Sequence, residues 1–228
     1  MRYYGTKQLH KLMPRSSPEM DCKIQKTAFG EYFLVIPYTV SRKNVQKSVY
    51  TNPVSIDPGV RKFLTTFASN NKESFLIGDR WSTQIMALLL KLDKETNNQK
   101  KLRLRKRIAN LKKEMRHQCA NFIAKRYDLV LMPKLDTKNL SMKSHRLKTK
   151  TVRAMLNAGH SKFLESLKDK CWEYGAKFLL VREEYTSQTC PCCGWLNKCN
   201  EVYKCQNCNF HHDRDIVGAL NIMLKAVR

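Results

Sequence analysis

The chain has 228 residues, which is enough for one main domain with a substantial buried core. Its 43 lysines and arginines outnumber its 19 aspartates and glutamates, and the formal net charge is +24. This excess predicts a polyanionic partner, because basic side chains neutralise phosphates and release their counterions. The longest apolar run, residues 85–90, is far too short to span a bilayer, and residues 1–11 do not resemble a secretory signal. We therefore expect an intracellular protein without a membrane partner, in the nucleus or the cytoplasm.

Strands are predicted in the first third of the chain. Residues 29–40 are rich in β-branched and aromatic side chains, which are typical of a strand. Residues 54–57, 62–67 and 75–77 have the same character, and Pro58-Gly59 turns the chain between the first two. The pattern predicts a meander with Asp57 at the end of a strand.

Helices dominate the next part. Between residues 82 and 126 apolar residues recur at spacings of three and four, which predicts helix, and Asn97-Asn98 divides the segment in two. The predicted inner face is made of Ile85, Leu88, Leu89, Leu92, Ile108, Leu111, Met115, Phe122 and Ile123.

The second half of the chain alternates strands and helices. A strand over 127–132 ends at Pro133, and a helix over 151–174 ends at Gly175. Between them, residues 134–153 are basic and lack an apolar period, which predicts a loop or lid. A strand over 177–183 and a final helix over 213–227 complete the chain. This order predicts an α/β fold with a mixed sheet.

Two Cys-x-x-Cys pairs stand close together near the C-terminus. Cys190 and Cys193 form the first pair, and Cys205 and Cys208 form the second. Two such pairs suit a tetrahedral Zn²⁺ ion, because each presents two sulfurs from one tight turn. Four thiolates leave no open position for water, so the predicted zinc site is structural. Cys192 could compete for the metal.

Acidic residues flank this cysteine segment on both sides. Asp57, Glu183 and Asp215 stand at ends of separate predicted elements, with Glu184 as the alternative to Glu183. Three carboxylates meeting at one sheet edge would suit two Mg²⁺ or Mn²⁺ ions. The alternative is structural: Asp before Pro-Gly is a common turn residue, and Asp213 or Asp215 could cap the last helix.

Basic residues are concentrated in two segments. Residues 100–117 carry nine lysines and arginines on a predicted helix, and residues 134–153 carry seven more. They predict a surface that follows a nucleic-acid backbone, although a solvated helix face and a disordered linker would have the same composition. The predicted contacts are Arg103, Arg105, Lys106, Arg107, Lys112, Lys113, Lys143, Arg146, Lys148 and Lys150.

The motifs together resemble the TnpB and Fanzor families of transposon-associated nucleases, which are related to type V CRISPR effectors. SIDPGVRKFLTTF resembles the first RuvC motif, and HHDRDIVGALNIM resembles the third. YTSQTCPCCG followed by YKCQNC resembles the zinc ribbon inserted in the RuvC domain, and LNAGHSKFLESL resembles the helix that precedes it. The match covers residues 53–228 in the order of the family.

The resemblance implies a fold, an activity and partners. The implied fold is RNase H-like (RuvC), with a helical insertion and an inserted zinc ribbon that has four cysteine ligands. The implied activity is metal-dependent cleavage of DNA, with a guide RNA supplying target recognition by base pairing. The implied domains are 51–185 for the nuclease, with the helical insertion at about 80–126 and the lid at 134–153, 186–210 for the ribbon and 211–228 for the last RuvC helix.

Two departures from the family pattern affect this prediction. Most TnpB proteins end the second RuvC strand with a catalytic glutamate, whereas this chain has Pro133 there. Fanzor proteins are similar to this chain in placing a glutamate just before the YTS sequence, which favours Glu183. The family also has a larger N-terminal part, so residues 1–50 are interpreted as a remnant of a wedge-like β region and a separate N-terminal polypeptide is a candidate partner. A truncated protein that binds DNA or RNA without cleaving it is the alternative function.

Overall fold

The chain divides into two units, Met1–Ser41 and Arg42–Arg228. The computed structural model describes residues 21–37, 49–59, 62–70, 73–134, 159–182, 184–198 and 201–227. In the first unit, β1 (Lys23–Lys26) pairs antiparallel with β2 (Tyr32–Val35). The second strand lies within the predicted strand 29–40, whose last three residues are outside the described ranges. The first strand was not predicted, because Lys-Ile-Gln-Lys contains a single apolar residue.

A five-stranded sheet is the centre of the second unit. Its order is β5-β4-β3-β6-β7. The strands are β3 (Pro53–Pro58), β4 (Leu64–Ala68), β5 (Glu73–Ile77), β6 (Leu129–Pro133) and β7 (Lys177–Val181). The first three form an antiparallel meander, whereas β6 and β7 run parallel to β3. The predicted mixed α/β sheet is confirmed.

Four helices are described in this unit. They are α1 (Asp79–Lys94), α2 (Asn98–Arg126), α3 (His160–Tyr174) and α4 (Arg214–Val227). The predicted break between the first two is confirmed: the Asn97 side chain accepts hydrogen bonds from the amides of Gln99 and Lys100, and so caps α2. The third helix ends at Gly175 as predicted, while its predicted first residues, 151–158, lie outside the described ranges.

The helices cover both faces of the sheet. On one face, Val54, Ile56, Val130 and Met132 are fully buried in a core shared with α1, α2 and α3. On the other face, Leu131 packs with Ile222 and Met223 of α4. Because side chains alternate along a strand, β3, β4, β6 and β7 contribute to both layers.

The N-terminal part of α2 extends past the sheet. Tyr174, at the end of α3, donates a hydrogen bond to the Asn121 side chain of α2 (3.0 Å). Helix α2 leads into β6 and α3 leads into β7, and these strands are parallel, so the two helices run in the same direction. Counting back along both helices from the Tyr174–Asn121 contact, His160 at the start of α3 is level with about residue 107 of α2. At about 1.5 Å per residue, the first ten or so residues of α2 extend beyond it by about 15 Å.

One residue of the predicted inner helix face is placed differently. The Phe122 side chain is 42% exposed and lies edge-on to Phe75, with a ring-centroid distance of 6.4 Å. The Arg126 guanidinium lies over the same two rings. The prediction for Phe122 was wrong because a spacing of three to four residues does not fix how wide the buried face is.

No helix within the described ranges is both long enough and apolar enough to cross a membrane.

Candidate functional site

The four predicted zinc ligands lie together. The sulfur atoms of Cys190, Cys193, Cys205 and Cys208 are all within 4.8 Å of one another. The Sγ atoms of Cys190 and Cys208 are 3.5 Å apart, as are those of Cys193 and Cys205. Tetrahedral Zn²⁺ with bonds of about 2.3 Å needs sulfurs about 3.8 Å apart, so the donor set fits this ion. Within the described ranges this is the one group of three or more potential ligands close enough to share a metal ion.

Local backbone hydrogen bonds explain how the two pairs converge. The Cys190 amide donates to the Trp195 carbonyl (2.8 Å), which closes the first turn, and the Cys205 amide donates to the Phe210 carbonyl (2.8 Å), which closes the second. A short antiparallel ladder, β8 (Val202–Lys204) with β9 (His211–Asp213), continues from the second turn. Tyr203 of this ladder is fully buried beside the cysteines.

The protonation of the thiols also favours a cation. Hydrogen bonds from the Trp195 backbone and the Asn207 side chain lower the pKa of Cys193 to about 6. Burial raises the pKa of Cys190. The Phe210 amide favours the Cys208 thiolate, but burial and the neighbouring thiols raise the pKa of Cys208 to about 12. The raised pKa values of Cys190 and Cys208 mean that these two thiols ionise beside the Cys193 thiolate only when a positive ion compensates the charge.

Asp57 lies on the side of the sheet that α4 covers. Ser55, two residues earlier in β3, donates a hydrogen bond to the Ala219 carbonyl of α4 (2.6 Å). The Asp57 carboxylate approaches α4 at Gly218 so closely that a methyl group there would collide with the Asp57 Oδ2 atom. Asp215 is three residues before Gly218, on the same side of the helix. The fold thus brings Asp57 to within one helical turn of Asp215.

Asp213 is the residue that caps the last helix. Its Oδ1 atom accepts hydrogen bonds from the amides of Asp215 (2.8 Å) and Ile216 (3.4 Å), and its Oδ2 atom is 3.2 Å from the Lys62 ammonium. Burial raises the pKa of Asp213, but the amide of Asp215 and the ammonium of Lys62 outweigh it, and the net shift is downward. The cap predicted for Asp213 or Asp215 therefore belongs to Asp213, and the Asp215 side chain is not needed for it.

The carboxyl ends of the parallel strands meet beside Asp57. Pro133, the last residue of β6, pairs with Val181, the last residue of β7. Continuing the parallel register of β3 and β6, in which Ser55 pairs with Leu131, brings Asp57 level with Pro133. Glu183 follows Val181 by two positions but lies outside the described residues.

The alternative carboxylate, Glu184, is exposed. Its backbone carbonyl accepts a hydrogen bond from the Lys225 ammonium of α4.

A basic groove lies between the end of α1 and the beginning of α2. Its volume is about 480 Å³, and its charged lining is Lys91, Lys94, Lys100, Arg103, Arg107 and Glu95. A second groove of about 460 Å³ along α2 is lined by Arg103, Arg107, Lys106 and Glu114. Three of the predicted nucleic-acid contacts thus share one surface, on the part of α2 that extends past the carboxyl ends of the strands.

The other predicted contacts differ in position. Arg105 and Lys113 are exposed. Lys112 is half-buried, and burial, Arg116 and Lys162 all lower its pKa. Lys143, Arg146, Lys148 and Lys150 lie outside the described residues, so their role stays a prediction.

Several residues at these sites were not predicted as functional. Lys91 and Lys94 belong to a different helix from the basic run and reach the groove only through the pairing of α1 with α2. Gly218, placed three residues after Asp215, was the one recognisable signal, because a glycine inside a helix often marks a close approach.

Comparisons with known proteins agree with this architecture. A family model described as "Cas12f1-like, TNB domain" matches residues 160–222. The solved structure of a Cas12f1–sgRNA–target DNA complex matches with a TM-score of 0.57 and 23% identity, covering 78% of this chain and 51% of that one. A CRISPR–Cas12f ternary complex matches with a TM-score of 0.54 and 22% identity, covering 88% and 44%. The fold is therefore the RuvC-like fold of the Cas12f effectors.

Relatives in sequence include proteins of viruses and of a bacterium. The chain is 29% identical to "Putative transposase A625R" of Paramecium bursaria Chlorella virus 1, over 99% of the chain and 53% of the relative. It is 24% identical to "TnpB-like protein L79" of Acanthamoeba polyphaga mimivirus, over 85% and 40%. It is also 24% identical to "Putative RNA-guided DNA endonuclease InsQ" of Escherichia coli, over 98% and 59%. The chain is thus a TnpB-like protein, and it spans about half the length of these relatives.

Proposed function

We propose that this chain carries the nuclease centre of a transposon-associated, RNA-guided DNA endonuclease. Asp57, Asp215 and Glu183 are the catalytic carboxylates. The four cysteines of the ribbon hold a structural Zn²⁺ ion. The basic surface of α1 and α2 contacts the backbone of DNA or RNA.

One observation carries this proposal: the Asp57 carboxylate packs against α4 at Gly218, one turn from Asp215. If Asp57 were only a turn residue, it would not need to approach α4 so closely. Asp215 is not needed as a helix cap, because Asp213 already caps α4. The two carboxylates come from positions 57 and 215, so they meet only through the packing of α4 on the sheet.

The third carboxylate is assigned from the strand pattern. Val181 packs with the residues of β6 that contact α4. Glu183 is two positions after Val181, the last residue of β7, so the period of two along the strand favours Glu183 over Glu184 as the third carboxylate. Pro133 cannot bind a metal, so the neighbouring strand β6 supplies no ligand at this position.

The donor set fits a hard divalent cation, because carboxylate oxygens are the ligands that Mg²⁺ and Mn²⁺ prefer. Such ions, when bound, would activate a water and stabilise the leaving oxygen of a phosphodiester. Asp57 and Asp215 would hold them from the two sides of the sheet–helix contact. Lys62, paired with Asp213, keeps one positive charge beside this cluster of acidic groups.

The basic surface supplies the affinity for nucleic acid. The first groove has five cationic side chains and one carboxylate, so it attracts phosphates. It lies on the part of α2 beyond the carboxyl ends of β3 and β7, which is the edge of the sheet where Asp57 is found, although α2 and Asp57 are on opposite faces. A nucleic-acid strand held there would have to cross this edge to reach the proposed catalytic carboxylates. InsQ, the relative named as an RNA-guided DNA endonuclease, favours a guide RNA as one partner and DNA as the other.

The proposal is tested with purified protein and any RNA that co-purifies with it. We expect Mg²⁺- or Mn²⁺-dependent nicking of supercoiled DNA, and we expect Asp57→Asn to abolish it. Asp169→Asn, which changes an exposed carboxylate on α3, is the matched control and should nick like the wild type. Wild-type protein that binds DNA tightly but never nicks it with either metal would refute the nuclease proposal.

A binding protein without cleavage is the second candidate, because the basic grooves do not depend on the carboxylates. In that case Asp57→Asn would change nothing, while Arg103→Gln with Arg107→Gln would weaken binding to all sequences. Removing one phosphate contact should lower the slope of log affinity against log salt by about one. Sequencing the co-purified RNA separates a discrete guide from RNA bound by charge alone.

A further inference from the structure

Two close backbone contacts of Gly59 hold the chain just after Asp57. The Gly59 amide donates a hydrogen bond to the Phe63 carbonyl (3.2 Å). A methyl group at Gly59 would lie 2.6 Å from the Lys62 carbonyl oxygen, so only glycine allows the chain to close here. Asp57 is two residues before Gly59, and any movement of the turn moves the end of β3 with it.

His160 fastens this turn from the side of α3. Its ring is 5% exposed, and its Nε2 atom donates a hydrogen bond to the Gly59 carbonyl (2.9 Å). The ring stacks on Phe63 with centroids 5.1 Å apart and planes 12° apart, and Phe63 lies edge-on to Phe163. Burial lowers the pKa of His160, and the bond to Gly59 raises it only in part. At neutral pH the ring is therefore uncharged, with its proton on Nε2.

Lys62 fastens the same turn from the side of α4. Its ammonium is 3.2 Å from Asp213, and Asp213 accepts the amide hydrogen of Asp215 at 2.8 Å. The side chains of Lys62 and Asp213 are 25% and 39% exposed, so the pair is partly shielded from water. This single contact joins the turn after one catalytic carboxylate to the cap before the other.

We propose that His160 and Lys62 are positioning residues, which together clamp the β3–β4 turn and fix where Asp57 lies relative to Asp215. The inference rests on the proposed function of these two carboxylates. Two carboxylates in one place repel each other until a cation binds, so the metal-free site needs an external restraint. The neutral ring of His160 restrains the turn without adding charge. The positive charge of Lys62 is paired with the capping residue Asp213 rather than with Asp57 or Asp215.

The test compares paired substitutions. His160→Gln keeps a donor where Nε2 stands, whereas His160→Leu removes it. Lys62→Arg keeps the cation, whereas Lys62→Met removes it. Lys168→Met, at an exposed lysine on α3, is the control for loss of a charge. Zinc content and thermal unfolding confirm that each variant is folded, and Lys62→Met should pass this check because its side chain is partly exposed.

Two measurements are made on zinc-loaded protein. The first is the dissociation constant for Mn²⁺, which we expect His160→Leu and Lys62→Met to raise by about 10-fold or more, the usual effect of losing an outer-shell partner. His160→Gln and Lys62→Arg should stay within about 3-fold of the wild type, since they rescue the contact. The second is hydrogen exchange at the amides of Gly59 and Asp215 without Mn²⁺. Exchange should be faster in His160→Leu and Lys62→Met and unchanged in Lys168→Met.

The outcomes separate this inference from the proposed function. Wild-type Mn²⁺ affinity and unchanged exchange in both His160→Leu and Lys62→Met would overturn the clamp. Equal Mn²⁺ binding by the wild type and Asp57→Asn would overturn the proposed function instead. In that case exchange still decides on the clamp: faster exchange at both amides supports it, and unchanged exchange overturns it.

Discussion

The two candidate metal centres are assembled in opposite ways. The four thiols of the ribbon lie between positions 190 and 208, and the turns that present them are closed by backbone hydrogen bonds within residues 190–210. The carboxylates lie at positions 57 and 215, and they meet because α4 packs on the sheet at Gly218. A local site is determined by short-range spacing, whereas a long-range site depends on the whole core that holds its elements together.

The difference extends to what supports each site. The ribbon packs around the fully buried Tyr203 in a small cluster that also includes Val217 of α4. The carboxylates are supported by contacts from three elements: His160 of α3, Lys62 of the turn and Asp213 before α4. We therefore expect substitutions in the ribbon to act through folding, and substitutions around the carboxylates to act through geometry.

The largest effect is expected for loss of a zinc ligand. Cys205→Ser should release the metal and unfold the ribbon, because zinc binding contributes on the order of 10 kcal/mol to the folding of small zinc domains. Nicking should disappear with it, since α4 follows directly from the ribbon. Metal content and near-ultraviolet circular dichroism measure the result.

Cys192→Ser is the matched control for this prediction. Cys192 is exposed and lies outside the four-sulfur cluster, so its variant should keep one zinc per chain and full nicking. A zinc-free Cys205→Ser protein with wild-type activity would contradict the view that the ribbon supports the nuclease centre.

The second effect concerns the third carboxylate. Glu183→Gln should lower the rate of nicking by about 100-fold or more, because metal catalysis is worth several kcal/mol and each tenfold is about 1.4 kcal/mol. Glu184→Gln should lower it by less than about 3-fold, since the structure uses the backbone carbonyl of Glu184 rather than its exposed carboxylate. Single-turnover nicking rates decide between them, and the reverse result would move the third ligand to Glu184.

A smaller effect is expected at the sheet–helix contact. Gly218→Ala should lower nicking by about 10-fold, because the added methyl group displaces the Asp57 carboxylate and small misplacements of catalytic groups are costly. Ala219→Gly, at the next buried position of α4, is the control for changing one methyl group in this helix. It should reduce stability by about 1 kcal/mol, the usual cost of glycine in a helix, without a specific loss of metal affinity. Equal effects of the two variants on Mn²⁺ binding would show that the approach at Gly218 is incidental.

The smallest effect is a pH dependence of stability. Burial holds the pKa of His160 below its usual value of 6.5, so the unfolded chain binds a proton there more readily than the folded one. The contribution of His160 is therefore present above pH 6.5 and is lost as the pH falls from there through the lower folded pKa. Denaturant unfolding between pH 5 and 8 should show a steeper loss for the wild type than for His160→Gln. Parallel curves would mean that His160 is not held in its neutral form.

Much of the fold could be predicted from the sequence. Apolar residues repeating every two or every three to four positions predicted the meander, the two long helices and the last helix, because an element that buries one face has apolar residues at its own period. The same rule failed at Phe122, which lies beside the core, and at β1, whose stability comes from its pairing with β2 rather than from its own composition.

The two candidate sites also differ in how much of each could be predicted from the sequence. The sequence by itself determined the four candidate zinc ligands, since cysteines in two close pairs leave few other ways to share one ion. It also restricted the carboxylates to Asp57, Asp215 and one of two neighbouring glutamates. Only the tertiary structure decided that Asp213 is the cap, that Gly218 admits Asp57 and that His160 and Lys62 hold the turn between them. Apart from the local cap, these contacts join residues about 100 to 160 positions apart. Such pairs are set by the packing of α3 and α4 on the sheet, which no local spacing encodes.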